Sequence, residues 1–261
     1  MIDRNLYKGS FDKNQMNNNW RCPRCNAGIL HFKEEKVIKE VDAETIEWEK
    51  VVGFGSNYRH WQMNSSFVYT TLLFCSNEEC KEKVICSGSS SMELYDRKRD
   101  SEGNVEDLYQ TYYNPLFFYP AINIFNIPKG VPKEVEENIK VSFSLFFSNP
   151  PSAANYIRVA LESLLTSLKV KRFNINKKTK RQKITLHARI DLLPDKYEKI
   201  RKTCEAIKWL GNEGSHSDSK ITIDDVLNGY DMFSTILEEL YEEKTKKLTK
   251  MVKKINTKKG V

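Results

Sequence analysis

The hydrophobic positions of the chain follow two different patterns. Up to about residue 90, valine, isoleucine, threonine and aromatic residues gather in short runs at 37–52, 66–74 and 81–86, which is typical of β-strands. From residue 132 onward, apolar residues recur at the 3.6-residue period of amphipathic helices. The pattern therefore predicts an α+β chain in which a β-rich module, residues 1–90, precedes a helical domain, residues 132–243.

Proline and capping residues divide the helical half. Pro132 suits a first turn, and the sequence Asn149-Pro-Pro-Ser152 stops that helix and leaves Ser152 to cap the next one. Thr222 and Asp225 stand at the spacing of a capping box. Helices are accordingly predicted from 132, from 152 to 168, at 184–193 and 195–210, and from 222 onward.

A polar and then aromatic segment joins the two halves. Residues 87–104 are mostly polar and are predicted to form a link. Prolines at 115, 120, 128 and 132 argue against a helix or a central strand in the segment that follows. Residues 91–131 are therefore predicted to form an extended strap.

Charge is distributed unevenly along the chain. Residues 1–130 carry a net charge of −2, whereas residues 131–261 carry +9. The excess lies in two stretches without acids, residues 169–183 and the lysine-rich tail 244–261. Such stretches suit a phosphate backbone, although solvated loops and tails have the same composition. In the first stretch the candidate nucleic-acid-binding residues are Lys169, Lys171, Arg172, Lys177, Lys178, Lys180, Arg181 and Lys183.

No segment has the length of a membrane helix, which requires about 18 uncharged apolar residues. The first residues also lack the apolar run of a signal peptide. The protein is therefore expected to be cytoplasmic and not bound to a membrane.

Four cysteines have the spacing of a metal site. Cys22 and Cys25 are separated by two residues, and Cys75 and Cys80 by four, at the end of a strand-like run. Four thiolates from two turns suit tetrahedral Zn²⁺, and such a closed site would be structural because no position stays open for water. The wider second spacing leaves three alternatives for one ligand, namely Cys86, His31 and His60.

Two helical segments carry a pair of motifs. Segment 154–165 holds Arg158 and Glu162, and segment 206–216 contains Gly211-Asn212 followed by His216. Together they make residues 131–241 similar to the bacterial family of domain of unknown function 4145, whose members look like relatives of the HEPN nucleotide-binding and ribonuclease domains. The resemblance implies a HEPN-like helical bundle, and the cysteines in front of it suggest a zinc-ribbon-like module.

The resemblance also implies where catalytic residues would lie. HEPN ribonucleases carry arginine, then a polar residue, and histidine after three more residues; Asn212 and His216 match the last two, while Gly211 replaces the arginine. A cation would have to come from Lys208 or Arg158, and lysine does not reproduce a guanidinium fork. The same residues also suit a structural role, with Gly211 as a helix C-cap. The candidate catalytic residues are His216, Asn212, Lys208, Arg158 and Glu162.

The function expected first is non-catalytic binding of RNA or DNA, or an adaptor role, by a homodimer formed through the helical domain. The resemblance implies a setting in restriction or other anti-phage systems. One alternative is a metal-independent, toxin-like HEPN ribonuclease that uses His216. The other is a protein-interaction module whose protein partner docks on Tyr112, Phe117 and Phe118.

Overall fold

A computed structural model of the chain describes residues 1–18, 20–52, 65–99, 101, 103, 105–174, 181–216 and 218–258. The chain splits into two compact units. We call Asp3–Asn123 the sheet unit, and Ile124–Val261 with Met1–Ile2 the helical unit. The predicted α+β class is confirmed, with an antiparallel sheet first and helices in the second half.

Antiparallel strands form the sheet unit. Their order is β1-β3-β4-β5, and β2 also pairs with β3. The strands are β1 (Leu30–Phe32), β2 (Ile38–Val41), β3 (Ser66–Cys75), β4 (Lys83–Arg99) and β5 (Val105–Tyr119). Two α-helices, α1 (Lys13–Asn18) and α2 (Ala43–Val52), and two 3-10 turns, Arg4–Leu6 and Glu34–Lys36, accompany them.

One face of the sheet is the core of this unit. Along β3 the side chains of Phe67, Tyr69 and Leu73 are buried, as the two-residue period of a strand requires. Trp20 lies against this core, with its ring centroid 5.0 Å from that of Phe118 in an edge-to-face contact. The N-terminal segment is therefore part of the sheet's hydrophobic core.

The predicted strand at 37–52 is only partly correct. Ile38–Val41 is a strand, but Ala43–Val52 is a helix. The Asp42 carboxylate accepts the Thr45 backbone N–H at 2.8 Å, which is the hydrogen bond of an N-cap. This local cap starts a helix in a run whose β-branched and aromatic residues had favoured a strand.

The predicted link and strap are largely a long β-hairpin instead. The polar residues from 87 to 99 belong to β4, and β5 extends to Tyr119. Pro115 lies opposite Gly88, where the register shifts, on the strand that ends the sheet order. A proline fits at such a bulge on an outer strand because no regular ladder hydrogen bond is lost there.

Helices dominate the helical unit. They are α3 (Lys133–Leu145), α4 (Pro150–Ser167), α5 (Leu186–Asp191), α6 (Glu198–Glu213), α7 (Ile223–Tyr241) and α8 (Glu243–Lys258). A 3-10 turn, Asp195–Tyr197, leads into α6, and two short strands, β6 (Phe173–Asn174) and β7 (Gln182–Lys183), pair with each other. No helix among the described residues combines the length and hydropathy needed to cross a membrane.

Most of the predicted helix boundaries are confirmed. The capping box of Thr222 and Asp225 is present at the start of α7. The predicted cap of α4 is wrong, because Asn149 is the N-cap and accepts the Ser152 backbone N–H at 3.0 Å. Two prolines after Asn149 occupy the first turn of α4, where a missing N–H costs nothing.

Tyr230 of α7 lies at the centre of the helical core. Its ring is 1% exposed, and its hydroxyl lies 2.8 Å from the Ser142 hydroxyl of α3. The rings of Phe125 and Phe143 surround it at centroid distances of 5.9 and 5.2 Å. These contacts join α3 to α7.

Candidate metal centre and basic cleft

Four cysteine sulfurs converge in the sheet unit. The Sγ atoms of Cys22, Cys25, Cys75 and Cys80 all lie within 4.8 Å of one another. The Cys22–Cys80 and Cys25–Cys75 pairs are both 3.7 Å apart. A tetrahedral site with Zn–S bonds of about 2.3 Å places its sulfurs about 3.8 Å apart. The four residues could therefore hold a metal ion.

Turn geometry explains why these distant cysteines meet. In the first turn Asn26 has a positive φ of 55°, and the Gly28 N–H donates to the Cys25 Sγ at 3.3 Å. A Cβ at position 28 would collide with the Cys75 sulfur, so glycine permits the close approach of the two turns. In the second turn the Asn77 carbonyl accepts the Cys80 N–H, which brings Cys80 back toward Cys75 at the end of β3.

The thiols of the cluster differ in the direction in which their pKa values are shifted. Backbone N–H donation from Gly28 lowers the pKa of Cys25 to about 6. Burial raises the pKa of Cys22 to about 12, and it raises that of Cys75 as well. Metal binding requires thiolates, so a bound cation would displace the protons from Cys22 and Cys75.

The alternative ligands lie elsewhere or outside the described residues. Cys86 is buried in the sheet core with its Sγ 3.4 Å from the Tyr69 hydroxyl, and burial raises its pKa to about 12. His31 is in β1, opposite Phe74, and does not belong to the sulfur cluster. His60 lies outside the described residues.

The three aromatic residues predicted to dock a protein partner, Tyr112, Phe117 and Phe118, do not form one surface. Phe118 is buried against Trp20, whereas Phe117 is 56% exposed and Tyr112 is half-buried. Their alternation follows from β5 being a strand, since neighbouring side chains point to opposite faces.

A cleft in the helical unit is lined by four of the five candidate catalytic residues. It has a volume of about 540 Å³ and is lined by α4, β7, α5 and α6. We call it the basic cleft; its lining residues are Arg158, Glu162, Lys183, Ile184, Thr185, Leu186, His187, Lys208, Trp209 and Asn212.

Two arginines fix α5 as one wall of the basic cleft. Arg189 is buried and donates to the Glu162 carbonyl at 3.1 Å and to the Thr166 hydroxyl at 2.9 Å. Arg201 of α6 donates to the carbonyls of Ile190 and Asp191 at 3.0 and 2.8 Å. Both carbonyls lie at the end of α5, where the Ile190 carbonyl also accepts the Leu193 backbone N–H at 3.1 Å, so Arg201 acts as an additional side-chain cap.

Lys208 is the most deeply buried cation in the basic cleft. Only 4% of its surface is exposed, and its Nζ lies 3.5 Å from the Trp209 ring centroid and 3.4 Å from the His187 Nδ1. Trp209 itself is 65% exposed. The two side chains that cover the ammonium are therefore themselves at the surface.

Gly211 allows Arg158 to enter the basic cleft. The predicted C-cap at Gly211 is wrong, because α6 continues to Glu213 and Gly211 is buried inside it. A Cβ at this position would collide with the Cβ of Arg158 on α4. The Arg158 guanidinium pairs with Glu162 at 3.1 Å, and its Nε is buried without a hydrogen-bond partner. Gly211 therefore makes room on α6 for the arginine of the neighbouring helix.

His216 lies apart from the other candidates. It follows the end of α6, is exposed and does not line the basic cleft, although Asn212 does. Its backbone N–H donates to the Glu213 carbonyl at 3.2 Å, which continues the turn after the helix. The structure thus brings together Arg158, Glu162, Lys208 and Asn212, with His187 in place of His216.

The basic stretch forms a hairpin beside the basic cleft. We call residues 169–174 and 181–183 the basic hairpin; its charged side chains, Lys169, Lys171, Arg172, Arg181 and Lys183, are all exposed. Arg181 covers the ring of Phe173, with its guanidinium carbon 3.8 Å from the ring centroid. Lys183 also lines the basic cleft. The candidates Lys177, Lys178 and Lys180 lie outside the described residues.

Sequence reasoning missed His187 and Trp209 as residues of the cleft. The buried positions of α6 are Ile200, Cys204, Ile207, Lys208 and Gly211, so the neighbouring Trp209 lies off the apolar stripe. An exposed tryptophan on an amphipathic helix was therefore visible from the periodicity. His187 gave no such signal, because its place in the cleft depends on how α5 packs.

Two family models match parts of the chain. Residues 140–258 match a family described as a domain of unknown function (DUF4145), which supports the family indicated by the two helical motifs. Residues 9–118 match a second domain of unknown function (DUF8608). No curated protein and no solved structure matches the chain.

Proposed function

We propose that this protein binds single-stranded nucleic acid without cleaving it. The observation that carries the proposal is the continuity of the basic hairpin with the basic cleft, which share Lys183. A run of exposed cations can follow a phosphate backbone, and an exposed aromatic ring beside it can stack with a base. Trp209 is that ring, because Phe173 is already covered by Arg181.

The helical unit is proposed to be HEPN-like in fold without HEPN-type catalysis. Two observations support a HEPN-like fold that lacks HEPN-type catalysis. The position of the catalytic arginine is Gly211, and His216 is exposed outside the basic cleft. A general base must come within hydrogen-bond reach of the group that it deprotonates. A homodimer through the helical unit belongs to the same proposal and rests on the resemblance.

The sulfur cluster is proposed to hold structural Zn²⁺ in a zinc-ribbon-like arrangement. Its support is the donor set, since four thiolates within 4.8 Å of one another can fill every coordination position of tetrahedral zinc. The ion would link the turn after Trp20 to the end of β3, and it would leave no site for a reacting water.

The proposal is tested by fluorescence anisotropy with labelled RNA and DNA strands over a range of salt concentrations. Replacement of Arg172, Arg181 and Lys183 by glutamine should lower the slope of log K against log salt by about 2, because each lost phosphate contact to a single strand removes about 0.7. Incubation of the same strands in EDTA, followed on a gel, should show intact RNA.

A charge-matched control uses three exposed lysines near the beginning of α6. Lys196→Gln, Lys199→Gln and Lys202→Gln remove the same charge away from the basic hairpin and should leave the slope close to that of the unaltered chain. Equal slopes for both triple variants would contradict the proposal. RNA cleavage abolished by His216→Ala would instead establish the ribonuclease.

A further inference from the structure

We propose that the basic cleft binds the phosphate group of a nucleotide, with Lys208 as the main anion contact and Trp209 as the platform for the base. This inference rests on the proposed function, because it assigns a ligand class to the same region. The phosphate can belong to a free nucleotide or to the end of a strand.

The first argument is the burial of an uncompensated charge at Lys208. Its side chain is 4% exposed, and among the described residues it forms no ion pair with a carboxylate. A buried ammonium requires a compensating partner, and an ammonium can only donate hydrogen bonds. The His187 Nδ1 therefore acts as an acceptor at 3.4 Å, which is a long contact to a neutral group. An anion in the cleft would supply the missing charge.

The second argument is the balance of charges on the cleft walls. Three cations, Arg158, Lys183 and Lys208, face one acid, Glu162. That acid is already occupied, since its two oxygens lie 3.1 Å from Arg158 and 3.8 Å from Lys183. The Arg158 Nε retains a buried donor without a partner. A phosphate group carries the charge and the several acceptor oxygens that these donors require.

The third argument is the position of an exposed aromatic ring on the same wall. Trp209 adjoins Lys208 in α6, and its ring is 65% exposed although Lys208 lies against it. A base can stack on that exposed ring while its phosphate reaches into the cleft. Inorganic phosphate would satisfy the cations alone, whereas a nucleotide also uses Trp209, so the arrangement favours the nucleotide.

The test is calorimetric titration of the full chain with adenosine 5′-monophosphate, adenosine and inorganic phosphate. The unaltered protein should bind the monophosphate at least about tenfold more tightly than adenosine, a difference of one decade in Kd. Lys208→Met keeps the length and the apolar stem of a buried side chain but removes its charge, and it should abolish this preference. Lys202→Met, on the exposed part of the same helix, should retain it.

A second variant keeps the inference testable if Lys208→Met does not fold. Trp209→Ala changes an exposed side chain and should weaken adenosine and its monophosphate alike, by about tenfold. Unchanged binding in this variant would rule out the base platform. Equal affinity of the unaltered protein for the monophosphate and adenosine, or no binding of either, would overturn the site.

Oligonucleotides separate this inference from the proposed function and distinguish its two sources of phosphate. If the ligand is the end of a nucleic-acid strand, a 5′-phosphorylated oligonucleotide should bind more tightly than its 5′-hydroxyl form. Lys208→Met should remove this difference. If the ligand is a free nucleotide, both oligonucleotides should bind equally well and the monophosphate should bind tightly. If the monophosphate binds and no oligonucleotide does, the site stands and the proposed function fails.

Discussion

At the scale of single residues, the contact between Gly211 and Arg158 decides what the basic cleft contains. The glycine has no Cβ, so the arginine of α4 passes directly across α6 and reaches the cleft. The guanidinium in the cleft thus comes from α4 and not from α6. Spacing along the sequence could not show this, because the pair is separated by 53 positions and meets only through helix packing.

Replacement of this glycine should test the contact. Gly211→Ala gains about 1 kcal/mol of helix propensity, but overpacking costs about 1–3 kcal/mol. We expect a net loss of up to about 2 kcal/mol in the free energy of unfolding, measured by urea denaturation, together with weaker binding of nucleotide. Glu213→Ala, at an exposed position of the same helix, should cause neither effect. A more stable Gly211→Ala protein would show that Arg158 moves aside without cost.

Two single substitutions should distinguish the proposed metal ligands from a cysteine of the hydrophobic core. Cys75→Ser removes one of the four converging sulfurs, and the purified protein should contain far less than one equivalent of zinc. Cys86→Ser leaves all four sulfurs in place and should retain the full equivalent. Elemental analysis of the two proteins decides the assignment, and zinc loss in both would argue against it.

At the scale of elements, the cleft depends on a short helix that is held by its neighbours. Helix α5 has only six residues, too few for independent stability. It carries His187 into position because Arg189 and Arg201 tie it to α4 and α6. The geometry of the site is therefore a property of three packed helices.

Removal of the α5 cap should loosen this wall. Arg201→Ala removes the guanidinium donor from the carbonyls of Ile190 and Asp191 and leaves the Ile190 carbonyl with the Leu193 backbone N–H, so the melting temperature should fall and nucleotide binding should weaken. Lys202→Ala, one position further, donates to neither carbonyl and serves as the control. Full nucleotide binding by a destabilised Arg201→Ala protein would show that α5 does not position the site.

The elements themselves were predictable to different degrees. The capping box of α7 depends on neighbouring residues and was predicted, whereas the start of α4 was predicted at Ser152, two residues after its first helical residue, Pro150. The β4–β5 hairpin was missed because polar residues fill much of β4 and Pro115 interrupts β5. Such strands form through pairing with distant segments, which local composition does not report. The sulfur cluster was predictable because thiol spacing is a direct record of ligand geometry.

At the scale of the whole molecule, the sulfur cluster and the basic surfaces belong to different units. The sulfur cluster lies in the sheet unit, and the basic hairpin and basic cleft lie in the helical unit. Each unit has its own buried aromatic core, around Trp20 in one and Tyr230 in the other. Loss of the metal is therefore expected to act on one unit first.

Removal of zinc by a chelator should unfold the sheet unit selectively. The proposed ion would cross-link two turns about 50 residues apart, so its loss would release a long loop in the unfolded chain and remove metal-linked folding energy. Amide hydrogen exchange should accelerate at residues 3–123 and remain slow in α4, α6 and α7. Uniform acceleration across both units would contradict this expectation, and re-addition of zinc should restore protection.

The placement of the cysteine pairs also fixes an order of events during translation. Cys22 and Cys25 leave the ribosome long before Cys75 and Cys80, and Trp20 meets Phe118 only after the last strand of the sheet has been made. The nascent sheet unit is thus exposed, with unpaired thiols, for most of its own synthesis. By contrast, α3 and α4 follow one another directly and can pair as soon as both have emerged. On the proposal that the cluster binds zinc, the supply of zinc is therefore expected to matter for the first half of this chain while the second half is still being made.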